Sequence, residues 1–200
     1  MTTVQLVVDW DGTVTERDSL HMVLEHFGDL DVYRAAEEAL GQRLSLNEVI
    51  AMEMRTVRAP LEEVVVWVLA EVRVRRGFAE LVDRCDPIVV SAGFHELIEP
   101  VLAREGVAPR VVANRIDPRP DGWEAAFRDG LPCEVCGEAC KRAAVRDLGA
   151  FVYVGDGVSD RCVALAAGRV FARDGLAAWL DAQGAPYETF DDFVDLAARL

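Results

Sequence analysis

The feature that most constrains this chain is a β-branched run that ends in two aspartates one residue apart. Residues 7–14 read Val-Val-Asp-Trp-Asp-Gly-Thr-Val. Apolar runs of this kind are typical of strands buried on both faces of a sheet, and the Asp-Gly pair marks the turn that ends the strand. Because the backbone already turns there, Asp9 and Asp11 can converge on one point, where two carboxylates repel unless a cation or a shared proton neutralises them. The segment therefore predicts a metal-binding or proton-handling strand end, with an ordinary solvated turn as the alternative.

Length, composition and charge favour a folded, soluble protein. The chain has 200 residues, 52% of them hydrophobic and 28% charged, which suits one large domain or a domain with a smaller insertion. Its net charge of −14 would repel polyanions, so we expect no nucleic-acid partner and no anionic membrane surface. The first residues form no signal sequence, and every apolar run is far shorter than about 18 residues, so we expect a cytoplasmic protein with no membrane partner.

Strand and helix patterns alternate along most of the chain. Short apolar runs predict strands at residues 4–9, 87–91, 110–114, 151–154 and 169–172. Helical patterns follow at about 94–104, 138–148 and 159–167. Two further helices are predicted to be capped by Asp174 and Asp191, and residues 117–130 predict a loop or hairpin with Trp123 packed back onto the body. Such alternation indicates an α/β fold with a doubly wound, mostly parallel sheet.

The stretch between the first two predicted strands carries only helical patterns. Ser45 and Glu48 form a capping box, and Pro60 begins the next helix. The run Val-Val-Val-Trp at 64–67 has the composition of a strand, yet its start signal and its helical period favour a helix. We therefore expect a small all-helical domain at residues 16–84, inserted into a core domain of residues 1–15 and 85–200.

Polar residues stand at predicted strand ends or nearby helix starts in four places. They are Asp9 with Asp11, Ser91, Lys141, and Asp156 with Asp160 beside Gly155 and Gly157. Each has an ordinary explanation on its own: a helix cap for Ser91, a solvated charge for Lys141 and a turn for the glycine-flanked Asp156. Together their order favours phosphoryl transfer, because this reaction needs a nucleophile, a cation, donors for the phosphate oxygens and an acid.

The chemistry of these residue types suggests a role for each. Asp9 would attack phosphorus to form an aspartyl-phosphate, and Asp11 would protonate the leaving alkoxide and then deprotonate the hydrolytic water. The cofactor Mg²⁺ takes hard oxygen ligands, for which Asp9, the carbonyl of Asp11 and Asp156 are candidates. The phosphate would be bound by Ser91, by Lys141 and by the free backbone amides of Ala92 and Gly93.

These motifs resemble those of the haloacid dehalogenase superfamily of phosphatases. Asp-Trp-Asp-Gly-Thr at 9–13 looks like the first motif, Ser91 the second, Lys141 the third, and Gly-Asp-Gly-Val-Ser-Asp at 155–160 the fourth. The resemblance covers the whole chain and implies a Rossmann-like core, Mg²⁺, a nucleophile at Asp9 and a general acid/base at Asp11. It also implies that the helical insertion is a cap that closes over the site and selects a small phosphorylated metabolite.

The resemblance leaves the substrate open among phosphatases of this superfamily. Phosphoserine phosphatases are similar in Asn-Arg at 114–115, in the fourth motif and in an acidic residue nine positions after the nucleophile. That residue is Asp18 here, where those enzymes usually have a glutamate for the substrate amine. Arg55 and Arg58 are candidates for their cap arginine, and His21 is a further candidate for substrate contact.

Three other features look closer to the methionine-salvage phosphatases that act on 2-hydroxy-3-keto-5-methylthiopentenyl-1-phosphate. They are Arg-Arg-Gly-Phe at 75–78, Cys-Gly and Cys-Lys at 136–137 and 140–141, and Phe-Ala-Arg-Asp at 171–174. A Cys-Lys pair also occurs in phosphoethanolamine/phosphocholine phosphatases, which stay an alternative. From another class, a phospho-acceptor signalling module uses similar residues, but such modules are shorter and lack a helical cap.

Cys133, Cys136 and Cys140 raise a separate hypothesis. A Cys-x-x-Cys pair is a zinc half-site, but a closed structural site needs four ligands, and we expect no fourth cysteine or histidine nearby. We therefore expect thiols that pack the loop presenting Lys141, with a metal site, a redox pair, or a thiol or zinc protein as alternatives. The histidines His26 and His95 are expected to be structural.

Overall fold

The computed structural model describes residues 4–128 and 131–200. Its strands are β1 Gln5–Val8, β2 Ile88–Phe94, β3 Arg110–Asp117, β4 Glu124–Ala126, β5 Phe151–Gly155 and β6 Arg169–Ala172. They form one sheet in the order β4-β3-β2-β1-β5-β6, in which β4 pairs antiparallel with β3 and the other pairs are parallel. Apolar clusters cover both faces of this sheet, which confirms the predicted doubly wound α/β fold.

Ten α-helices occur within the described residues. They are α1 Ser19–Phe27, α2 Leu30–Ala39, α3 Leu46–Met54, α4 Leu61–Glu71, α5 Phe78–Cys85, α6 His95–Arg104, α7 Lys141–Ala144, α8 Arg161–Ala164, α9 Asp174–Gln183 and α10 Phe193–Arg199. The first five lie between β1 and β2, where the sequence predicts a run of helices. None of the helices in the described ranges is both long enough and apolar enough to cross a membrane.

The helix starts in this first run follow their sequence signals. The Ser45 hydroxyl accepts from the Glu48 amide at 3.4 Å, and the Glu48 carboxylate accepts from the Ser45 amide at 2.8 Å, which is the predicted capping box. Pro60 directly precedes α4. The run 64–67 is helical, with Val64 buried, so the helical period outweighed the strand-like composition.

The alternation of side chains along β1 divides the core between the two faces of the sheet. Leu6 and Val8 belong to one apolar cluster, whereas Val7 belongs to the other. On the first face, Phe78 of α5 packs against Phe193 of α10 with their ring centroids 5.3 Å apart. Strand β1 lies between β2 and β5 and is buried on both faces, so its packing fixes the position of the residues that directly follow it.

The hairpin of β3 and β4 ties the inserted helices to the sheet. Trp123 is fully buried, its indole Nε1 donates to the Ala59 carbonyl at 2.9 Å, and its amide donates to the Val57 carbonyl at 3.0 Å. Gly122 has a φ of 138°, and a Cβ there would collide with the carbonyl of Arg55. Of the two structures predicted for this segment, a loop or a hairpin, the chain forms the hairpin, and the predicted packing of Trp123 is confirmed. The end of the segment, residues 129–130, lies outside the described residues.

The loop that carries the cysteines shortens one predicted helix. The Cys133 amide donates to the Glu138 carbonyl and the Gly137 amide donates to the Cys133 carbonyl, both at 2.8 Å, so residues 133–138 close on themselves. The helix predicted over 138–148 therefore begins only at Lys141 and is reduced to α7. The helix predicted over 159–167 is also wrong in extent, since a 3₁₀ turn at Val158–Asp160 precedes the short α8.

Two predicted helix caps are wrong by one position. The cap of α10 is Asp192 rather than Asp191, because the Asp192 carboxylate accepts from the Asp195 amide at 2.9 Å. Asp174 is the first residue of α9, with a φ of 46°, and Arg173 occupies the cap position without a side-chain hydrogen bond. At α10 the sequence offers two neighbouring aspartates, and only the path of the chain decides which one faces the free amides.

We expect Trp123→Phe to lower the free energy of unfolding by about 1–3 kcal/mol, because the Ala59 carbonyl loses its donor while most of the apolar contact stays. Trp123→Ala should lower it by about 3–5 kcal/mol. Urea unfolding monitored by far-UV circular dichroism measures both values. Trp67→Phe, at a half-buried position in α4, is the matched control and should have a smaller effect than Trp123→Phe. Equal losses at the two positions would contradict the anchoring role.

Candidate active site

The carboxyl ends of the three central strands meet at one edge of the sheet. Asp9 follows β1 and Asp156 follows β5, while Ser91 lies in β2 on the other side of β1. Parallel strands with this arrangement open a crevice beyond their ends. The other predicted residues reach the same crevice from neighbouring turns and from α7: they are Asp11, Lys141 and Asp160.

The turn after β1 is closed by hydrogen bonds among its own residues. The Asp9 carboxylate accepts from the Trp10 amide at 2.6 Å, and the Thr15 amide donates to the Trp10 carbonyl at 3.0 Å. Gly12 has a φ of 73°, a conformation that favours glycine, and a Cβ at this position would collide with the Asp156 carboxylate. The Asp-Gly pair of the sequence thus serves a close approach between two strand ends as well as a turn.

Lys141 is a buried cation held between two buried carboxylates. Its side chain is 2% exposed, and its Nζ forms ion pairs with Asp9 and, at 2.6 Å, with Asp160. Burial alone would lower the pKa of Lys141, but the charges of Asp160 and Asp9 outweigh it and raise that pKa above its ordinary value. Lys141 therefore stays protonated, and its charge is directed at one oxygen of Asp9.

Asp160 holds this arrangement in place. In addition to its ion pair with Lys141, its carboxylate accepts hydrogen bonds from the Tyr153 hydroxyl at 2.6 Å and from the amides of Asp156 and Gly157 at 2.8 and 2.9 Å. Burial raises the pKa of Asp160, but the ammonium and these donors lower it by more, so the net shift is downward. A Cβ at Gly155 would lie 2.5 Å from the Asp160 carboxylate, so the predicted glycine leaves room for this side chain.

Asp11 is bonded to groups on both sides of the crevice. It accepts from the amide of Ser19 at 3.0 Å and from its hydroxyl, and the Ser91 hydroxyl donates to its other oxygen at 3.3 Å. Ser19 is the first residue of α1, so the inserted helices begin on this carboxylate. Burial raises the pKa of Asp11, although the bonds from Ser19 oppose the shift.

The acidic side chains are placed where a divalent cation could bind. Carboxylate oxygens of Asp9, Asp156 and Asp160 lie within 4.8 Å of one another. Burial, followed by the charge of Asp160, raises the pKa of Asp9 well above its usual range, and burial raises the pKa of Asp156 to about 6. A cation beside Asp9 and Asp156 would relieve this crowding, and their hard oxygens fit Mg²⁺. The proposed contribution of Asp11 to such a site, through its carbonyl, stays a prediction.

The segment after Val90 differs from the predicted tight turn. Strand β2 continues to Phe94, and its register against β3 shifts between Val90 and Phe94. The Gly93 amide donates to the Ser91 hydroxyl at 2.8 Å, so the expectation that both amides after Ser91 are free is wrong for Gly93. The Ala92 carbonyl accepts a hydrogen bond from the side-chain amide of Asn114 at 2.7 Å, which fixes this part of the backbone. Ala92 and Gly93 both line the cavity above the carboxylates.

Helices α1 to α3 form the far wall of this cavity. Its aliphatic side chains from these helices and the α2–α3 turn are Leu20, Leu24, Leu40, Leu46, Val49 and Ile50. Its ionisable side chains from the same region are Asp18, His21, Tyr33, Glu37 and Glu53. Among the described residues that line the cavity there is no lysine and no arginine. Arg55 and Arg58 are exposed and lie outside the lining, so the structure does not bring them to the site.

Two of the predicted specificity candidates do reach the cavity. Asp18 caps α1 by accepting from the His21 amide at 2.8 Å, and burial together with the charge of Asp11 raises the pKa of Asp18 to about 7. The His21 ring lies 2.6 Å from the Tyr33 hydroxyl and 3.2 Å from Glu25. The other histidines lie elsewhere: His26 stacks on Trp67, and His95 contacts Glu99.

Glu53 is the functional candidate that the sequence analysis missed. It is 3% exposed, its Oε1 has no hydrogen-bond partner among the described residues, and burial raises the pKa of Glu53 to about 8. A signal was available, because Glu53 follows Val49 and Ile50 by four and three positions and so shares their buried face of α3. Three other side chains of the site also went unpredicted: Thr13, Ser19 and Tyr153.

The cysteine cluster corrects one expectation. Cys162, at the start of α8, brings its sulfur to those of Cys133, Cys136 and Cys140, and the four atoms lie within 4.8 Å of one another. The expectation that no fourth ligand stands nearby is therefore wrong. Distance along the chain concealed Cys162, because the loop and α8 meet only in the folded protein.

Comparisons with a family model and with related proteins agree on one family. A family model described as haloacid dehalogenase-like hydrolase matches residues 6–165. A 2-hydroxy-3-keto-5-methylthiopentenyl-1-phosphate phosphatase of Geobacillus thermodenitrificans is 30% identical over 98% of this chain and 96% of its own. The enzyme of the same name from Geobacillus kaustophilus is 28% identical over 99% of this chain and 98% of its own.

Solved structures agree on the fold. A phosphoserine phosphatase with a phospho-aspartyl intermediate analogue has a TM-score of 0.71 at 17% identity, and 99% of each chain is covered. A phosphoserine phosphatase from T. onnurineus also has a TM-score of 0.71, at 16% identity, with 98% of this chain and 94% of that chain covered. With the aspartates, the lysine and the serine gathered at the ends of the central strands, this chain belongs to the haloacid dehalogenase-like hydrolases and is a phosphatase of phosphate monoesters.

Proposed function

We propose that this phosphatase depends on Mg²⁺ and transfers the phosphoryl group of a small metabolite to Asp9 before water releases it. The observation that carries the proposal is the position of Asp9, buried at the end of the central strand with Lys141 on one of its oxygens. A carboxylate is a good nucleophile only when it is ionised, and the ammonium of Lys141 favours that form against the burial that raises the pKa of Asp9. The bond that forms joins a carboxylate oxygen of Asp9 to phosphorus, and the bond that breaks joins phosphorus to the ester oxygen.

Lys141 and Ser91 supply donors for the phosphate oxygens. Both are buried beside the reacting carboxylates, so their interactions act in a medium of low dielectric. Asp160 and Tyr153 are positioning residues, because their hydrogen bonds hold Lys141 and the turn before α8 in place.

The residues that would hold Mg²⁺ are Asp9 and Asp156, together with the carbonyl of Asp11. Asp160 is less suitable, since its oxygens already accept from the ammonium, from Tyr153 and from two amides. When bound, the cation would offset the repulsion between the phosphate and the surrounding carboxylates. Thr13 donates to Asp156 at 2.6 Å and fixes the orientation of that ligand.

Asp11 would act as the acid and base of the reaction. Burial favours its protonated form, in which it can give a proton to the ester oxygen as the alcohol leaves. Once ionised, it can take a proton from the water that attacks the phosphorylated Asp9. The bonds from Ser19 and Ser91 hold its carboxylate in place through both steps.

We expect Asp9→Asn to abolish phosphate release, because an amide cannot form the phosphoryl bond. Asp11→Asn should lower the turnover of alkyl phosphates by roughly 10²–10⁴-fold, the usual contribution of a positioned acid. Phosphate release with Mg²⁺ present measures both, and omission of Mg²⁺ should remove the activity of the unchanged enzyme. Undiminished turnover of Asp9→Asn would overturn the covalent mechanism.

An aryl phosphate separates the two roles of Asp11. Its leaving group needs little protonation, so Asp11→Asn should still phosphorylate Asp9 with p-nitrophenyl phosphate but hydrolyse the intermediate slowly. Rapid-mixing experiments should then show a burst of p-nitrophenol followed by slow release of phosphate. A steady rate with no burst, at the level of Asp9→Asn, would show that Asp11 is needed for the first step as well.

The inserted helices act as the cap of this site. Residues 16–84 include α1 to α3, which wall the cavity opposite the strand ends, and the Asp11–Ser19 bond joins the two parts. A cap in this position excludes water while the phosphoryl group is transferred.

The cavity supports a substrate with an uncharged, partly apolar tail. Six aliphatic side chains of the inserted helices and the α2–α3 turn line it, and the raised pKa of Glu53 makes a neutral carboxylic acid that can donate a hydrogen bond to a carbonyl or hydroxyl. A methylthio tail with a neighbouring keto group meets both conditions. Together with the two relatives named above, this favours 2-hydroxy-3-keto-5-methylthiopentenyl-1-phosphate as the substrate.

A phosphorylated amine is the second candidate. Asp18, Glu37 and Glu53 all line the cavity and, if ionised, would attract the cationic head of phosphoethanolamine or phosphocholine. Phosphoserine fits less well, because its carboxylate would meet these acids and no lysine or arginine among the described lining residues.

Glu53→Gln distinguishes the two candidates, since glutamine keeps the shape and hydrogen-bond donor of the neutral acid but cannot become an anion. We expect the variant to keep kcat/KM for the keto ester within about threefold of the wild-type value. Its kcat/KM for amine esters should not rise above that of the wild type. The control is Glu38→Gln, at an exposed position of α2 outside the lining. A wild-type enzyme that prefers phosphocholine, and loses that preference in Glu53→Gln, would contradict the keto ester.

Glu53 should also make the stability depend on pH. Its pKa is about 8 in the folded protein against an ordinary 4.5, so the unfolded chain releases the proton first as the pH rises. The wild type should therefore lose on the order of 2–4 kcal/mol relative to Glu53→Gln between about pH 5 and pH 8. Urea unfolding at several pH values measures this difference, which should be absent for Glu38→Gln.

A further inference from the structure

The four clustered cysteines form a group that the phosphatase chemistry does not use. Cys133, Cys136 and Cys140 lie on the closed loop before α7, and Cys162 projects from α8. The sulfurs lie within 4.8 Å of one another, and the Cys133–Cys162 pair is 3.7 Å apart. Two separate segments of chain therefore converge on one point through sulfur atoms.

We propose that Cys133, Cys136, Cys140 and Cys162 bind one Zn²⁺ ion. Where a closed structural zinc site is built from four thiolates, they form a tetrahedron with Zn–S bonds of about 2.3 Å, which places the sulfurs about 3.8 Å apart. The 3.7 Å separation of Cys133 and Cys162 matches that edge and is far from the roughly 2.0 Å of a disulfide bond.

The backbone of the loop supports a thiolate cluster. The Val135 amide donates to the Cys133 sulfur at 3.5 Å, a bond that favours the negatively charged form of a ligand. Gly137 has a φ of 75°, which turns the chain back directly after Cys136. The loop is thereby shaped to present its thiols on one side.

The site would fix two elements of the active site at once. Cys140 directly precedes Lys141, and Cys162 follows Asp160 by two positions. Zinc held between these cysteines would fasten the start of α7 to α8, and with them the two partners of the buried ion pair. The ion would be structural, since all four of its positions are filled by protein ligands.

The metal content of the purified protein tests the proposal. We expect the full chain, produced with zinc in the medium and purified without chelators, to contain about one Zn²⁺ per chain. Inductively coupled plasma mass spectrometry measures this zinc content. Cys162→Ser should lose most of this zinc. Cys85→Ser, which changes the one cysteine outside the cluster, should keep it.

Two measurements on the unchanged protein avoid reliance on a variant that fails to fold. Replacement of zinc by Co²⁺ should give the visible absorption of a tetrahedral tetrathiolate site. A thiol reagent should modify one cysteine in the zinc-bound protein and all five after a strong chelator is added. These readouts do not depend on phosphatase activity, so they stand even if the proposed substrate is wrong.

Three results would overturn the proposal. One is zinc far below one equivalent in reduced protein that has been supplied with the metal. The second is an intact mass that shows a disulfide between Cys133 and Cys162. The third is iron in place of zinc, because a tetrathiolate site can also hold iron.

Discussion

The ion pairs of buried Lys141 with Asp9 and Asp160 are the interactions on which the rest of the site depends. A buried ammonium is tolerated only where carboxylates and hydrogen bonds replace its water, and here two carboxylates do so. The three residues come from the turn after β1, from α7 and from the turn before α8, so one cation sets the relative positions of three segments. Tyr153 and the backbone amides that bond Asp160 complete this unit.

The same cluster has more negative charge than one lysine can balance. Asp11 and Asp156 lie beside the ion pairs, and burial raises the pKa of each. A dianionic phosphate could not approach such a group unless further positive charge accompanied it. The crowding that destabilises these carboxylates in the free protein is therefore the property that would favour a divalent cation and a phosphate ester bound together.

Sequence patterns predicted the sheet well and the contacts between distant segments poorly. The buried runs that become β1, β5 and β6 are recognisable because apolar character on both faces allows few other structures, and the ends of β1 and β5 supply the aspartates of the site. By contrast, the shortened α7 and the contribution of Cys162 depend on where separate segments meet. The same applies to Arg55 and Arg58, because their position in the sequence of the insertion does not reveal which face of the fold they occupy. Glu53 could have been predicted from the sequence, because it is a charged residue on an otherwise apolar helix face.

The attachment of Trp123 to Val57 and Ala59 also restricts how the cavity can open. The connection between α3 and α4 is held to the β3–β4 hairpin by two hydrogen bonds and a buried indole. The insertion is thus fastened to the sheet in its middle, in addition to the two points where the chain enters and leaves it. An opening of the cavity that keeps these bonds would have to pivot about this third attachment.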